Sequence, residues 1–168
     1  MFSVLDQVAA RREKALVFLE SLDLQEAGQL PHLIQRRYGL SRLPMVINGQ
    51  VPTAERQARV ERFQTEADFD VMLLSPRAGG VGLTLTAANH VIHLSRWWNP
   101  AVEDQCSDRV YRIGQAQEVH IYYPMALLPG REDFSFDIQL QQLMARKRDL
   151  ARQLLIAPAF THDDYVAL

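Results

Sequence analysis

The sequence is poor in the residues that build disulfide bonds and zinc sites. Cys106 is its only cysteine among 168 residues, so neither an internal disulfide nor a cysteine-based zinc cage can form within the chain. The five histidines do not compensate. His90 and His93 fall in a short apolar run typical of a strand, where they would face opposite sides because strand side chains alternate. We therefore expect no metal site and no disulfide partner.

Long apolar runs are also missing. No run approaches the roughly 18 residues that a membrane-spanning helix requires. The N-terminal segment MFSVLDQVAARREKALVFLE does not have the order of a secretory signal, because no uninterrupted apolar core precedes a small-residue cleavage site. We expect a cytoplasmic protein with no membrane partner, nucleoid-associated if it is bacterial.

The chain has no strong excess of charge of either sign. Its 18 Lys and Arg residues stand against 20 Asp and Glu residues, for a formal net charge of −2. A general polyanion binder is coated with basic residues, so any nucleic-acid contact here must be a local patch. The 48% hydrophobic content is globular, and the length favours one domain. We predict a single domain over residues 1–157, followed by a loosely ordered tail over residues 158–168.

Short apolar runs alternate with longer amphipathic segments along the chain. This pattern is typical of a parallel sheet covered by helices on both faces, so we predict an α/β fold with a mostly parallel central sheet. We expect strands at residues 14–19, 45–48, 70–74, 90–94 and 119–123, and helices at residues 22–38, 53–64, 100–112 and 135–155.

The segment SPRAGGVGLTLTAA, residues 75–88, directly follows the third predicted strand. Gly79, Gly80 and Gly82 allow backbone conformations in which amides point outward and a phosphate or a neighbouring backbone approaches closely. Ligands usually bind at this end of a parallel strand. The dinucleotide fingerprint does not fit, because Leu85 stands where a third glycine is required, and the chain has no Gly-Lys pair for a GxxxxGK[ST] loop. A tight structural turn stays open as the alternative.

The segment RWWNPAVEDQCSDRVYRIGQ, residues 96–115, is dense in special side chains. Asn99 as N-cap and Pro100 in the first turn predict the start of a helix. At about 100° per residue, Gln105, Arg109 and Arg112 fall on one face of that helix. Two guanidinium groups on one face favour an anion site, although ion pairs with acidic residues of the same helix are the alternative. These residues alone do not identify the anion.

Trp97 and Trp98 open the same segment. Adjacent side chains cannot both face one core, so we expect one tryptophan to be buried. The other is then partly exposed, as a stacking surface or an interface residue.

Taken in order, these motifs resemble the C-terminal RecA-like lobe, or helicase C-terminal domain, of Swi/Snf-type ATPases, a branch of the superfamily 2 helicase-like motors. KALVFLES is similar to the family's fourth motif and INGQVPTAERQARVERFQ to the segment that follows it. LLSPRAGGVGLTLTAANHVIHL resembles the fifth motif, and RWWNPAVEDQCSDRVYRIGQ the sixth with its lead-in. The resemblance covers residues 14–155. It implies a three-layer RecA-like domain. The segments YPMA and LLPGREDFSFD, where the family more usually has a strand and a TIEE-like helix start, indicate a bacterial-type variant in which the final helix braces the lobe.

The resemblance implies half of an ATP site in a motor that moves along double-stranded DNA. Arg112 is the stronger arginine-finger candidate, Arg109 is the second, and Gln105 would position the nucleotide or the finger. The residues implied to shape the nucleotide-facing edge are Gly80, Gly82 and Asp108. The residues implied to face DNA are Gly49, Arg56, Ser75, Arg77, Gly79 and Trp98.

The chain departs from the family pattern in two respects. Family members often carry an acidic residue shortly before the Trp-Asn-Pro segment, where Ser95 and Arg96 stand here. The Walker lysine and the DEAH-like acidic pair of the first lobe are not in this sequence. ATP and Mg²⁺ would therefore be held mainly by an N-terminal RecA-like lobe outside this chain. We expect the chain to be one domain of a longer ATP hydrolase and to be inactive alone.

Two other functions remain open at this point. The first is a non-catalytic RecA-like module that binds DNA or protein. The second is the nucleotide-sugar half of a two-domain glycosyltransferase, which also uses Gly-rich loops and arginines in a parallel fold. An acidic ribose contact, which the second function needs, is not evident.

Overall fold

The computed structural model describes residues 1–26, 29–77 and 82–155. The chain forms two compact units, Met1–Pro124 and Met125–Leu168. Gly79, Gly80 and the predicted tail at residues 158–168 lie outside the described residues. None of the helices in the described ranges is long and apolar enough to cross a membrane.

The first unit contains a five-stranded parallel sheet, as predicted. Its strand order is β2-β3-β1-β4-β5, and every neighbouring pair runs parallel. Each strand lies within one or two residues of its predicted bounds. The strands are β1 (Lys14–Phe18), β2 (Met45–Ile47), β3 (Asp70–Leu74), β4 (His90–His93) and β5 (His120–Tyr122).

The three central strands are buried along their whole length. Strands covered on both faces lose the usual alternation of apolar and polar residues, which is why they read as continuous apolar runs. Alternate residues nevertheless enter different cores: Leu16 and Met72 belong to one hydrophobic cluster, and Val17 and Leu73 belong to the other. The sheet thus separates two cores.

Helices cover both faces of this sheet. Val60 and Phe63 of α4, with Cys106 of α5, belong to the first cluster, whereas Leu5 of α1 and Ile34 of α3 belong to the second. This confirms the three-layer arrangement. The helices of the first unit are α1 (Phe2–Ala10), α2 (Leu22–Gln25), α3 (Leu30–Tyr38), α4 (Thr53–Thr65) and α5 (Pro100–Ser107).

Two helical segments in the first 40 residues differ from the prediction. α1 was not predicted, and the single helix expected at residues 22–38 is two helices. Ser21 caps α2 by accepting a hydrogen bond from the Leu24 backbone, and Gly39 ends α3 in the left-handed conformation at φ 62°.

The second unit carries one long helix, α6 (Phe136–Leu155), after a short 3₁₀ turn at Glu132–Phe134. The Ser135 hydroxyl accepts a hydrogen bond from the Leu128 backbone at 2.7 Å, and the Asp137 carboxylate accepts one from the Ala126 backbone at 2.7 Å. These bonds tie the loop to the start of the helix. The long final helix is confirmed, and its bracing role stays a prediction.

Candidate functional site

The carboxyl ends of the parallel strands place several predicted site residues at one edge of the sheet. Gly49 follows β2 and is exposed, and Arg77 follows β3 and is exposed as well. Ser75, between β3 and Arg77, is only 9% exposed and donates its backbone N–H to the Ile47 carbonyl at 2.9 Å. This is the edge at which α/β proteins usually bind ligands.

α5 begins at Pro100, as predicted, after the short segment that follows β4. Asn99 is its N-cap, with the side-chain oxygen accepting from the Ala101 N–H at 3.1 Å, and Pro100 occupies the first turn. Both residues reduce the number of unpaired N–H groups at the helix start.

A buried ion pair fixes the segment ahead of α5. Arg96 Nε donates to Glu103 Oε1 at 2.8 Å, with the two side chains only 5% and 1% exposed. The Trp97 backbone N–H donates to the same carboxylate at 3.1 Å, and the Arg96 guanidinium lies 4.5 Å from the centre of the Tyr123 ring. The arginine that stands where the family often has an acid is therefore a structural residue here.

The prediction that α5 extends to Arg112 is wrong. The helix ends at Ser107, and beyond it the Arg109 and Val110 amides donate to carbonyls three residues back instead of four. These tighter turns accompany the burial of Val110, which is 0% exposed. Arg109 and Arg112 thus lie on a turn, and they do not share a helical face with Gln105.

The two arginines meet very different surroundings. Arg109 is 3% exposed, and its Nε is buried without a hydrogen-bond partner in the described part of the chain. Burial lowers the pKa of Arg109, and the charge of nearby Arg112 lowers it further. The Arg109 guanidinium stays cationic because its ordinary pKa is so high, so a buried positive charge lies here without a full set of partners.

Arg112 is exposed, but its side chain is held in place by three hydrogen bonds. Its Nε donates to the Asp108 carbonyl at 3.0 Å, and its Nη1 donates to Thr84 Oγ1 at 3.1 Å and to the Gly82 carbonyl at 3.4 Å. Among the described residues, Nη2 has no hydrogen-bond partner. The turn therefore presents the Arg112 guanidinium in a fixed direction, with Nη2 able to donate hydrogen bonds to a ligand.

An open cavity of about 390 Å³ lies against the same residues. Gly82 and Thr84, which bind Arg112, line it together with Arg56 of α4. Arg56 Nη2 donates to the Val51 carbonyl at 3.3 Å, while its Nε is buried and unpaired in the described ranges. Arg56 thus lines the same cavity as residues 82–84, and Arg112 is hydrogen-bonded to two of these residues. The other residues lining the cavity are Thr53, Gln57, Val60 and Leu83.

The adjacent tryptophans differ in exposure, but the prediction that one of them is buried is wrong. Trp97 is half-buried, with the Arg77 guanidinium 5.6 Å from the centre of its ring. Trp98 is 59% exposed. An exposed aromatic ring and an exposed arginine are therefore available at this edge of the sheet.

The remaining predicted residues are less engaged. Gln105 is exposed on α5, and its side chain makes no hydrogen bond among the residues that the structure describes. Asp108 is exposed and contributes its backbone carbonyl to Arg112, not its carboxylate.

Three polar side chains that the sequence analysis did not single out contact the site. Thr84 holds Arg112. Gln64 Oε1 accepts from the Ala87 N–H at 2.8 Å, and Gln115 Nε2 donates to the Ala88 carbonyl at 2.7 Å. Gln115 closes the RIGQ stretch, which was a signal for its importance, whereas nothing in the pattern marks Gln64 or Thr84.

Comparison with known proteins assigns the family. Residues 1–114 match the family described as Helicase conserved C-terminal domain. The chain is 40% identical over 163 residues to the Zorya protein ZorD of Escherichia coli O139:H28 (strain E24377A / ETEC), and 37% identical over 141 residues to YwqA of Bacillus subtilis (strain 168). These alignments cover 94% and 84% of this chain but only 14% of each relative.

A solved structure agrees with this assignment. The Sulfolobus solfataricus SWI2/SNF2 ATPase core in complex with double-stranded DNA is 27% identical, with a TM-score of 0.68 over 92% of this chain and 30% of that chain. The chain therefore belongs to the helicase C-terminal domain family and is a RecA-like lobe of the Swi/Snf type.

Proposed function

We propose that this chain is the second motor lobe of a DNA-dependent ATPase that translocates on double-stranded DNA. The observation that carries the proposal is the pair of arginines on the turn after α5. One is exposed and held by Thr84, Gly82 and Asp108, and the other is buried with an unpaired Nε. Two such guanidinium groups favour an anion, and membership of the family supports the triphosphate of ATP as that anion.

The residues present fit this role. Arg112 has free donors and a fixed direction, as an arginine finger requires. Bound ATP and Mg²⁺ would supply the phosphoryl group and its main charge neutralisation. This chain would contribute a positive charge that stabilises the negative charge developing on the transferred phosphoryl group, an effect of roughly 10³ to 10⁵ in rate. Residues proposed to shape this side are Arg109, Gln105, Asp108, Gly80 and Gly82.

We further propose that the carboxyl edge of the sheet contacts the DNA backbone. Arg56 and Arg77 offer guanidinium groups there, and the exposed ring of Trp98 lies at the same edge. Arginine contacts to phosphate oxygens position a protein on a duplex without reading its sequence. The solved relative that holds double-stranded DNA supports this assignment. The full proposed set is Gly49, Arg56, Ser75, Arg77, Gly79 and Trp98.

The proposed enzyme is larger than this chain, which spans 14% of the length of each of the two relatives named above. We propose that residues 1–157 form the lobe, that an N-terminal RecA-like lobe holds ATP and Mg²⁺, and that the enzyme acts on cytoplasmic DNA. This chain alone is then inactive in ATP hydrolysis.

The decisive experiment is Arg112→Ala in the full-length protein that contains this chain. We expect DNA-stimulated ATP hydrolysis to fall by roughly 10³ or more, with binding of a fluorescent ATP analogue retained, because an arginine finger acts mainly on the transition state. Arg112→Lys keeps the charge but not the planar pair of donors, so it should recover only part of the rate. Arg36→Ala, an exposed arginine on α3, is the matched control and should hydrolyse ATP normally.

Undiminished turnover in Arg112→Ala would remove the finger assignment. A full-length protein that binds duplex DNA and never hydrolyses ATP would instead support the non-catalytic DNA-binding module.

A further inference from the structure

We propose that Gln64 and Gln115 are positioning residues that hold residues 82–88 by hydrogen bonds from two elements, α4 and the turn after α5. Through these bonds, movement of the DNA-facing end of α4 changes the position of Arg112. Residues 82–88 are called the connecting segment below. The inference rests on the proposed function, since it assigns residues that couple the two halves of that function.

α4 holds the connecting segment through Gln64. Its Nε2 donates to Thr86 Oγ1 at 3.3 Å, and its Oε1 accepts from the Ala87 N–H at 2.8 Å. Arg56, which we propose to contact the DNA backbone, lies eight residues earlier on the same helix. A helix moves as a rigid element, so displacement at Arg56 reaches the connecting segment through Gln64.

The turn after α5 that carries Arg109 and Arg112, called the arginine turn below, holds the same segment through Gln115. Its Nε2 donates to the Ala88 carbonyl at 2.7 Å and to the Thr86 carbonyl at 3.1 Å. The backbone of the turn adds a bond from the Leu85 N–H to the Arg109 carbonyl at 2.9 Å. Arg112 itself is bound to Thr84. A shift of the connecting segment therefore changes the position of the finger.

Thr86 is the meeting point of the two glutamines. Its hydroxyl is bonded to Gln64 and its carbonyl to Gln115. The connecting segment lies between β3 and β4 outside any helix or strand, and side chains supply the partners of several of its backbone groups. Leu83 and Leu85 anchor it in the same hydrophobic cluster as Val60 and Phe63 of α4. Packing of the two leucines holds the segment against the core, and hydrogen bonds from the two glutamines orient its backbone.

The two glutamines bind the connecting segment differently. Gln64 both donates to it and accepts from it, whereas Gln115 only donates to its carbonyl oxygens, so substitution by glutamate distinguishes them. Gln64→Glu keeps an acceptor for the Ala87 N–H, and the Thr86 hydroxyl can reverse and donate to the new carboxylate. Gln115→Glu places a carboxylate against the three carbonyl oxygens that Nε2 binds, those of Thr86, Ala88 and Val110, which it can only repel. The pair therefore separates loss of specific hydrogen bonds from loss of side-chain bulk.

The measurement is ATP hydrolysis by the full-length protein with and without saturating duplex DNA. In Gln64→Leu, Gln115→Leu and Gln115→Glu we expect the DNA-stimulated kcat to fall roughly ten- to hundredfold, as for misplacement of a catalytic group. The KM for ATP and the Kd for DNA should stay unchanged. Gln64→Glu should retain most of the stimulation. The double variant Gln64→Leu/Gln115→Leu should be no worse than the worse single variant, because both act through one segment. Gln7→Leu, at an exposed position of α1, is the matched control.

Three results would overturn the inference while leaving the proposed function intact: wild-type stimulation in both leucine variants, additive losses in the double variant, or equal loss in Gln64→Glu and Gln64→Leu. If a leucine variant fails to fold, the comparison of Gln64→Glu with Gln115→Glu decides, and equal activity of those two would also overturn it. If the wild-type protein shows no DNA-stimulated hydrolysis, the proposed function fails and the inference falls with it.

Discussion

Arg109 and Arg112 show how far residue spacing can mislead. The sequence places them on one helical face with Gln105, and the structure places them on a turn, one buried and the other exposed. Periodicity predicts which side a residue takes only while the helix continues. The sequence marks both arginines by their motif and not by their helical position, and their roles stay predictions. Their three-dimensional arrangement accompanies the burial of Val110.

The buried pair of Arg96 and Glu103 predicts a large effect on stability. Glu103→Ala leaves a buried guanidinium without its partner, so we expect a loss of about 3 to 5 kcal/mol in the free energy of unfolding. Urea unfolding measures it. Replacing both partners by apolar residues, as in Arg96→Met/Glu103→Leu, should recover much of the loss.

The exposed pair of Arg37 and Asp6 provides the control, since its side chains are 49% and 46% exposed. Asp6→Asn should change stability far less than Glu103→Ala, because water solvates both charges. If Asp6→Asn and Glu103→Ala lowered the free energy of unfolding equally, burial of the Arg96–Glu103 pair would not explain the loss in Glu103→Ala.

Individual elements were predictable where one signal dominated. The apolar runs of β1, β3 and β4 read as strands because burial on both faces leaves no competing pattern. α1 could not be predicted because no side chain caps its N-terminus, so the sequence carries no helix-start signal there. The end of α5 could not be predicted, since the sequence carries no glycine or proline at Asp108 to stop the helix.

At the scale of one helix, Lys14 controls the end of α4. Its Nζ donates to the Phe63 and Glu66 carbonyls, which are among the groups that a helix end leaves unpaired. In Lys14→Met we expect faster amide hydrogen exchange at the C-terminal turn of α4 and a loss of roughly 1 to 3 kcal/mol in stability. Exchange in α3 should not change, which makes that helix the internal control.

The same lysine predicts a pH dependence of defined sign. Desolvation lowers the pKa of Lys14 below its ordinary value of 10.5, so the unfolded chain binds the proton more tightly than the folded one. Wild-type stability should therefore rise relative to Lys14→Met as pH increases towards 10.5. A difference that is independent of pH in this range would contradict the assignment.

For the whole molecule, topology explains why the predicted site residues lie near one edge of the sheet, whereas their side-chain contacts could not be predicted. A parallel sheet gathers the ends of distant strands at one edge, so motifs that follow β2, β3 and β4 must meet there. Side-chain partners such as Gln64 with Thr86 depend on how α4 packs over that edge, and no sequence pattern encodes this.

The overall charge predicts how the proposed enzyme binds DNA. With a net charge of −2 in this chain, attraction to DNA must come from a few local arginines. In the full-length protein, Arg56→Ala should reduce the slope of log Kobs against log salt by about one, because each phosphate contact releases counterions. Titration of labelled duplex DNA at several salt concentrations measures the slope.

Arg62→Ala is the matched control on the same helix. Arg62 is paired with Glu66 at the far end of α4, so its removal should leave the slope unchanged. An unchanged slope in Arg56→Ala as well would place the DNA elsewhere.

The burial of Cys106 has a practical consequence for spectroscopy. Desolvation raises the pKa of its thiol to about 11, so this sole cysteine of the chain carries almost no reactive thiolate at neutral pH. A cysteine introduced by Ile113→Cys, at a fully exposed position next to Arg112, would be alkylated selectively within this domain. A maleimide dye attached there would report movement of the arginine turn by fluorescence, with no need to remove the native thiol.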